Sequence, residues 1–144
     1  MENTTDKLFE MIETDPEKFL SGVGSTDFKD EQELFIEFLL RAMDEKYMNP
    51  KRLSLMTGIS QSHMYQITSG AKRSGRDNTI LMAIALGLDL AGTQRLLKLS
   101  ENAPLYPRVK RDAILIACIE CGLGIEETDR KLVENSEKRI WTSL

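Results

Sequence analysis

At 144 residues, with 41% apolar and 29% charged side chains, the chain has the length of one compact domain and the balance of an ordinary globular protein. Two cysteines, Cys118 and Cys121, form no disulfide framework and fit a reducing, cytoplasmic setting, and the opening residues show no signal peptide. The longest apolar run, residues 113–119, is too short to cross a membrane, and a net charge of −4 weighs against nucleic acid only if that charge is evenly spread.

Period-two alternation is almost absent and helical spacing dominates, so the chain reads as all-α. Residues 4–13 form an amphipathic helix with Leu8, Phe9 and Ile12 expected inward. Asp15-Pro16 supplies an N-cap and a proline at the first helical position of a brief helix through Leu20. After the loop Ser21–Ser25, a long helix spans about 28–47, with Leu34, Phe35, Phe38, Leu39, Ala42 and Met43 as its core stripe. Asp27, Asp30 and Glu31 near its start oppose the positive end of the helix dipole.

Asn49-Pro50 repeats the cap-and-proline signal and opens a helix through Thr57, with Leu53 and Met56 inward. Gly58 tolerates the positive φ that ends it, Ile59 plugs the turn and Ser60 caps a second helix, Gln61–Ser69, which Gly70 closes. Two short helices across a tight glycine turn are the unit that lays its second helix in the DNA major groove. With Met64 and Ile67 inward, a rotation of 100° per residue points Ser62 and Ser69 outward, with Tyr65 and Gln66 beside them. Gln61 lies at the first turn and His63 nearer the core edge. This outward set bonds hydrogen without carrying charge, and glutamine can pair bidentately with adenine.

Residues 71–76, Ala-Lys-Arg-Ser-Gly-Arg, place Lys72, Arg73 and Arg76 where a loop would follow phosphates. The wider charge agrees: residues 50–111 hold ten Lys/Arg against three Asp/Glu, whereas residues 1–49 hold five against thirteen and residues 112–144 four against seven. Ser74 and Asp77 look like a cap pair for a helix over 76–86 that turns Ile80, Ala83 and Ile84 inward. Gly87 closes that helix and Asp89 caps another, 90–99.

The pattern Leu53, Gly58, Ile59, Ser60, Met64, Ile67, Gly70, followed by Ile80, Ala83 and residues 85–88 (Ala-Leu-Gly-Leu), resembles the Cro/cI-type helix-turn-helix regulators over about 31–99. Three positions depart from that pattern: Pro50 replaces a glutamine that contacts DNA backbone, Ser54 an alanine, and Thr57 an apolar residue. The resemblance implies a five-helix domain that binds double-stranded operator DNA as a homodimer and regulates transcription without enzymatic chemistry. It puts Gln61 and Ser62 at base-reading positions with Tyr65 and Gln66 beside them. The full set of expected DNA contacts is Asn49, Lys51, Gln61, Ser62, His63, Tyr65, Gln66, Ser69, Lys72, Arg73 and Arg76.

Beyond a two-proline loop at 100–107, residues 109–121 are apolar on nearly every side and 125–135 are amphipathic, a helical hairpin for a core or a subunit contact, with Ile140 and Trp141 as further candidate surface. Residues 106–112 look similar to an extension found in some members of that regulator family. The expected organisation is an acidic helical arm (1–27), a DNA-binding domain (28–99) and a C-terminal hairpin with its tail (100–144). Cys118 and Cys121 form a CxxC inside an apolar helix, distant from the sole histidine, His63, so no metal or other cofactor is expected.

Overall fold

Local capping chemistry determines most helix boundaries. In the computed structural model, which describes residues 4–25 and 28–142, with Thr4 and Thr5 described in backbone only, every regular element is helical. The helices are α1 (Thr4–Thr14), α2 (Pro16–Ser21), α3 (Glu31–Glu45), α4 (Pro50–Thr57), α5 (Gln61–Ser69), α6 (Arg76–Ala85), α7 (Leu90–Leu99), α8 (Lys110–Glu120) and α9 (Ile125–Glu134), with a 3₁₀ turn at Val23–Ser25. Asp15, Asp30, Asn49, Ser60 and Asp89 each accept the backbone N–H three residues ahead, at 2.7–3.1 Å. None of the described helices is long and apolar enough to cross a membrane.

Two clusters form the core. In the first, Phe35, Leu39 and Met43 of α3 meet Leu53 of α4, Met64 and Ile67 of α5, and the Met82, Ala83, Leu86 and Leu96 face of α6–α7. Fully burying each large side chain contributes roughly 1.5–3 kcal/mol. In the second, the other face of α6–α7, with Ile80, Leu81 and Leu97, packs against Leu105, Leu115, Leu132 and Ile140. Helices α6 and α7 are therefore the wall shared by the α3–α5 cluster and the C-terminal hairpin, and the core runs on across residue 100. Ile140, expected as surface for a second subunit, is buried inside the chain.

Several sequence expectations need correction. The long helix starts at Glu31 rather than 28, because the Asp30 side chain caps it; Asp27 lies outside the described residues. On α1, Phe9 is 62% and Ile12 40% exposed, and only Leu8 is half-buried. The helix packs mainly on the six-residue α2. Amphipathic spacing identifies the apolar side of a helix, and a partner that short cannot cover it. Met56 also turns outward, while Ser54 and Thr57 are the buried partners of Leu53. Ser74 and Asp77 do not cap α6, whose N-cap is Gly75 without a side-chain bond. The Asp77 carboxylate takes the Arg111 guanidinium instead, at 2.9 and 3.1 Å, a stronger donor than a helix N–H.

Gly70 closes α5 at φ 84°, where a Cβ would lie 2.8 Å from Ile36 Cδ1 of α3. The Ile36 methyl can swing aside, so most of the penalty for a side chain there is the left-handed backbone. Gly70→Ala is expected to lower unfolding stability by about 1–2 kcal/mol in urea titration. An unchanged midpoint would show that the turn relaxes freely.

Candidate nucleic-acid interface

The turn between α4 and α5 holds itself together. Gly58 sits at φ 81° and its N–H donates to Ser54 O at 2.9 Å, ending α4. The Ser54 hydroxyl reaches across the turn to the Ile59 carbonyl. Thr57 Oγ1 donates to Leu53 O at 2.8 Å and accepts the Ile59 N–H at 3.3 Å. Ser54 and Thr57 are thus the fasteners of the turn: both hydroxyls are buried, and both satisfy backbone groups. The tail passes close to this turn, where a Cβ on Gly58 would lie 3.6 Å from Trp141 Nε1 and 3.7 Å from Thr142 O.

With the turn set, α5 is oriented by Met64 and Ile67, at 0% and 1% exposure. Gln61, Ser62, Tyr65 and Ser69 are exposed, and His63 and Gln66 are half-buried beside them, as the rotation argument requires. The far end of the helix is tied to α3 through Gln32 Nε2, which donates to Gly70 O. Lys72 N–H donates to Gln66 O at 3.1 Å, which keeps Lys72 at the end of α5. Asn49 and Lys51 stand exposed at the start of α4, where Asn49 Oδ1 is engaged as the cap.

The cations separate into two groups. Arg76 is withdrawn from the phosphate-contact set: Nη1 and Nη2 donate to Asp112 at 3.1 and 2.8 Å, Nε to Ala103 O at 3.0 Å, and Nη2 also to Pro104 O at 3.0 Å. Arg73 is exposed but ion-paired with Glu101. Lys51, Arg52 and Lys72 are exposed and make no ion pair among the described residues. Arg52 was missed in the sequence reading, although its place in the first turn of α4 matches that of Lys51. The CxxC is split, with Cys118 buried and Cys121 exposed, and burial pushes the Cys118 thiol up.

An uncharged, hydrogen-bonding helix face bordered by the exposed cations Lys51, Arg52 and Lys72 suits base edges with phosphates on either side. No protein-family model matches this chain, and neither does any curated protein or solved structure.

Proposed function

We propose that this chain is a sequence-specific, double-stranded DNA-binding regulator of the Cro/cI helix-turn-helix type, acting in the cytoplasm without enzymatic chemistry or cofactor. Helices α3–α7 would be its five-helix domain, and α5 its major-groove reader. The observation that carries this reading is the outer face of α5: Gln61, Ser62, Tyr65 and Ser69 stand exposed with no charge among them. A merely solvated helix surface would ordinarily hold Lys and Glu. Lys51, Arg52 and Lys72 supply the phosphate contacts that set position, and Gln61, Ser62 and Gln66 supply the reading. Two copies, on half-sites one helical turn apart, double what one short helix reads.

The alternative is a protein-interaction module that keeps the fold without the DNA. One observation favours it: Glu101 and Asp112 neutralise two of the three cations that follow α5. Affinity for mixed-sequence duplex across a salt series separates the two. A DNA binder loses affinity with a log–log slope near −0.9 per phosphate contacted, and an adaptor shows no retention at any salt. Lys72→Ala should weaken specific and random duplex alike and make the slope shallower by about 0.9, with the melting temperature unchanged. An unaltered slope removes Lys72 from the interface.

A further inference from the structure

The hairpins α6–α7 and α8–α9 are two copies of one unit, offset by 35 positions from Arg76 to Arg111. The copies share Arg76/Arg111, Asp77/Asp112, Ile84/Ile119, Gly87/Gly122, Thr93/Thr128 and Leu97/Leu132. The backbone repeats as well. Gly87 and Gly122 turn at φ 67° and 68°, and after the second helix Glu101 and Ser136 turn at 61° and 59°. In both copies the residue after the glycine closes the turn, Leu88 N–H onto Ala83 O and Leu123 N–H onto Cys118 O, each at 3.0 Å. Leu105 and Ile140 are then buried at matching places, the first held by Gln94 and the second by Asp129. Arg76 donates to the carbonyls of 103 and 104, and Arg111 to those of 138 and 139.

The two copies meet reciprocally. Arg76 pairs with Asp112 and Arg111 with Asp77, while α6 packs on α9 and α7 on α8. When residue i of one unit meets j of the other and j meets i, the contact is isologous, the arrangement of a twofold subunit interface. Here both halves belong to one chain.

We infer that the outer face of α6–α7 is a self-recognition surface whose partner is this Arg-Asp hairpin, and that the chain's own α8–α9 occupies it in place of a second subunit. The short segment 102–109 holds the hairpin at an effective concentration of roughly millimolar, so the intramolecular contact excludes a second copy at ordinary concentrations. The free protein is then a monomer. This inference stands on the hairpins alone and does not need the DNA reading.

Two measurements test it. Sedimentation of the wild-type chain should give a single species of 16.3 kDa at concentrations about tenfold below millimolar, where the tethered hairpin still wins. A dimer there overturns the inference. In the second, R111D/D112R is mixed with R76D/D77R. Each variant alone sets like charges against each other, within the chain and between its own copies. Mixed, they restore opposite charges only by exchanging hairpins, so a one-to-one heterodimer of doubled mass is expected. If both variants keep their helical circular dichroism and the mixture stays monomeric, the surface does not recognise the hairpin and the inference fails. If either double variant does not fold, D77R mixed with R111D makes the same test with one reversed charge per chain: a one-to-one heterodimer supports the inference, and two folded monomers overturn it.

Discussion

Asp129→Ala is expected to cost about 3 kcal/mol of stability, as the loss of one partner of a buried ion pair does. The side chain is 3% exposed, and its two oxygens organise the whole C-terminal segment. Oδ1 accepts the N–H groups of Ile140 and Trp141 at 3.0 and 3.1 Å, and Oδ2 accepts Arg139 at 3.0 and 2.8 Å. Removing the carboxylate leaves two backbone donors without their acceptor and releases residues 139–141, Ile140 among them, from α9. Arg139 is exposed and can turn to water, which keeps the cost at the low end for a broken buried pair. Urea unfolding measures the loss, and Trp141 fluorescence should shift toward that of an exposed indole. Glu126→Ala, which breaks an exposed pair with Arg130 on the same helix, should change stability by less than about 0.5 kcal/mol. Equal effects from the two would refute the assigned role of Asp129.

The same geometry sets a pH dependence. Burial works against the charge on Asp129 and on Asp112. The paired arginine and the backbone N–H donors outweigh it, and both carboxyls are held below their ordinary value of 3.8. A depressed folded value contributes stability that is fully present above the ordinary one and is lost as pH falls through the folded one. Docking of α8–α9 should therefore hold through neutral and mildly acidic pH and weaken below about 4. Trp141 emission across a pH series in mild denaturant measures this; a tail released nearer pH 6 would point to a different group.

Gln61→Ala is expected to lose roughly 1–3 kcal/mol on the preferred duplex and little on random DNA. Gln61 opens α5, and its exposed amide can form two hydrogen bonds to one adenine. Ser62→Ala should be milder, since one hydroxyl makes fewer bonds than a bidentate amide. Neither side chain is buried, so melting temperatures should stay unchanged, and loss of folding then cannot imitate loss of reading. If Gln61, Ser62 and Gln66 are all replaced in a folded protein and discrimination between duplexes survives, α5 is not the reading helix.

What the sequence disclosed was local. Asn49, Gly58, Ser60 and Gly70 act within one turn of their own positions, so both helices of the motif could be placed to the residue. Met64 and Ile67 then fixed which face of α5 points outward. Arg76 could not be placed that way, because its acceptor Asp112 lies 36 positions away and no short-range rule pairs them. A still longer separation along the chain hid the approach of Trp141 to Gly58. For α1, the apolar stripe was legible, but the absence of a large enough partner was not. The hairpin repeat was present in the letters throughout. Its shared residues are scattered, and they become meaningful once Gly87 and Gly122 are seen to make the same turn.

Selection of bound sequences from random duplexes tests the DNA reading most directly. The expected result is enrichment of a short motif, repeated as an inverted pair about 10 base pairs apart if two copies meet on the DNA, with binding that weakens as salt rises. A folded protein that enriches no sequence, and that mixed duplex fails to retain even at low salt, would contradict it.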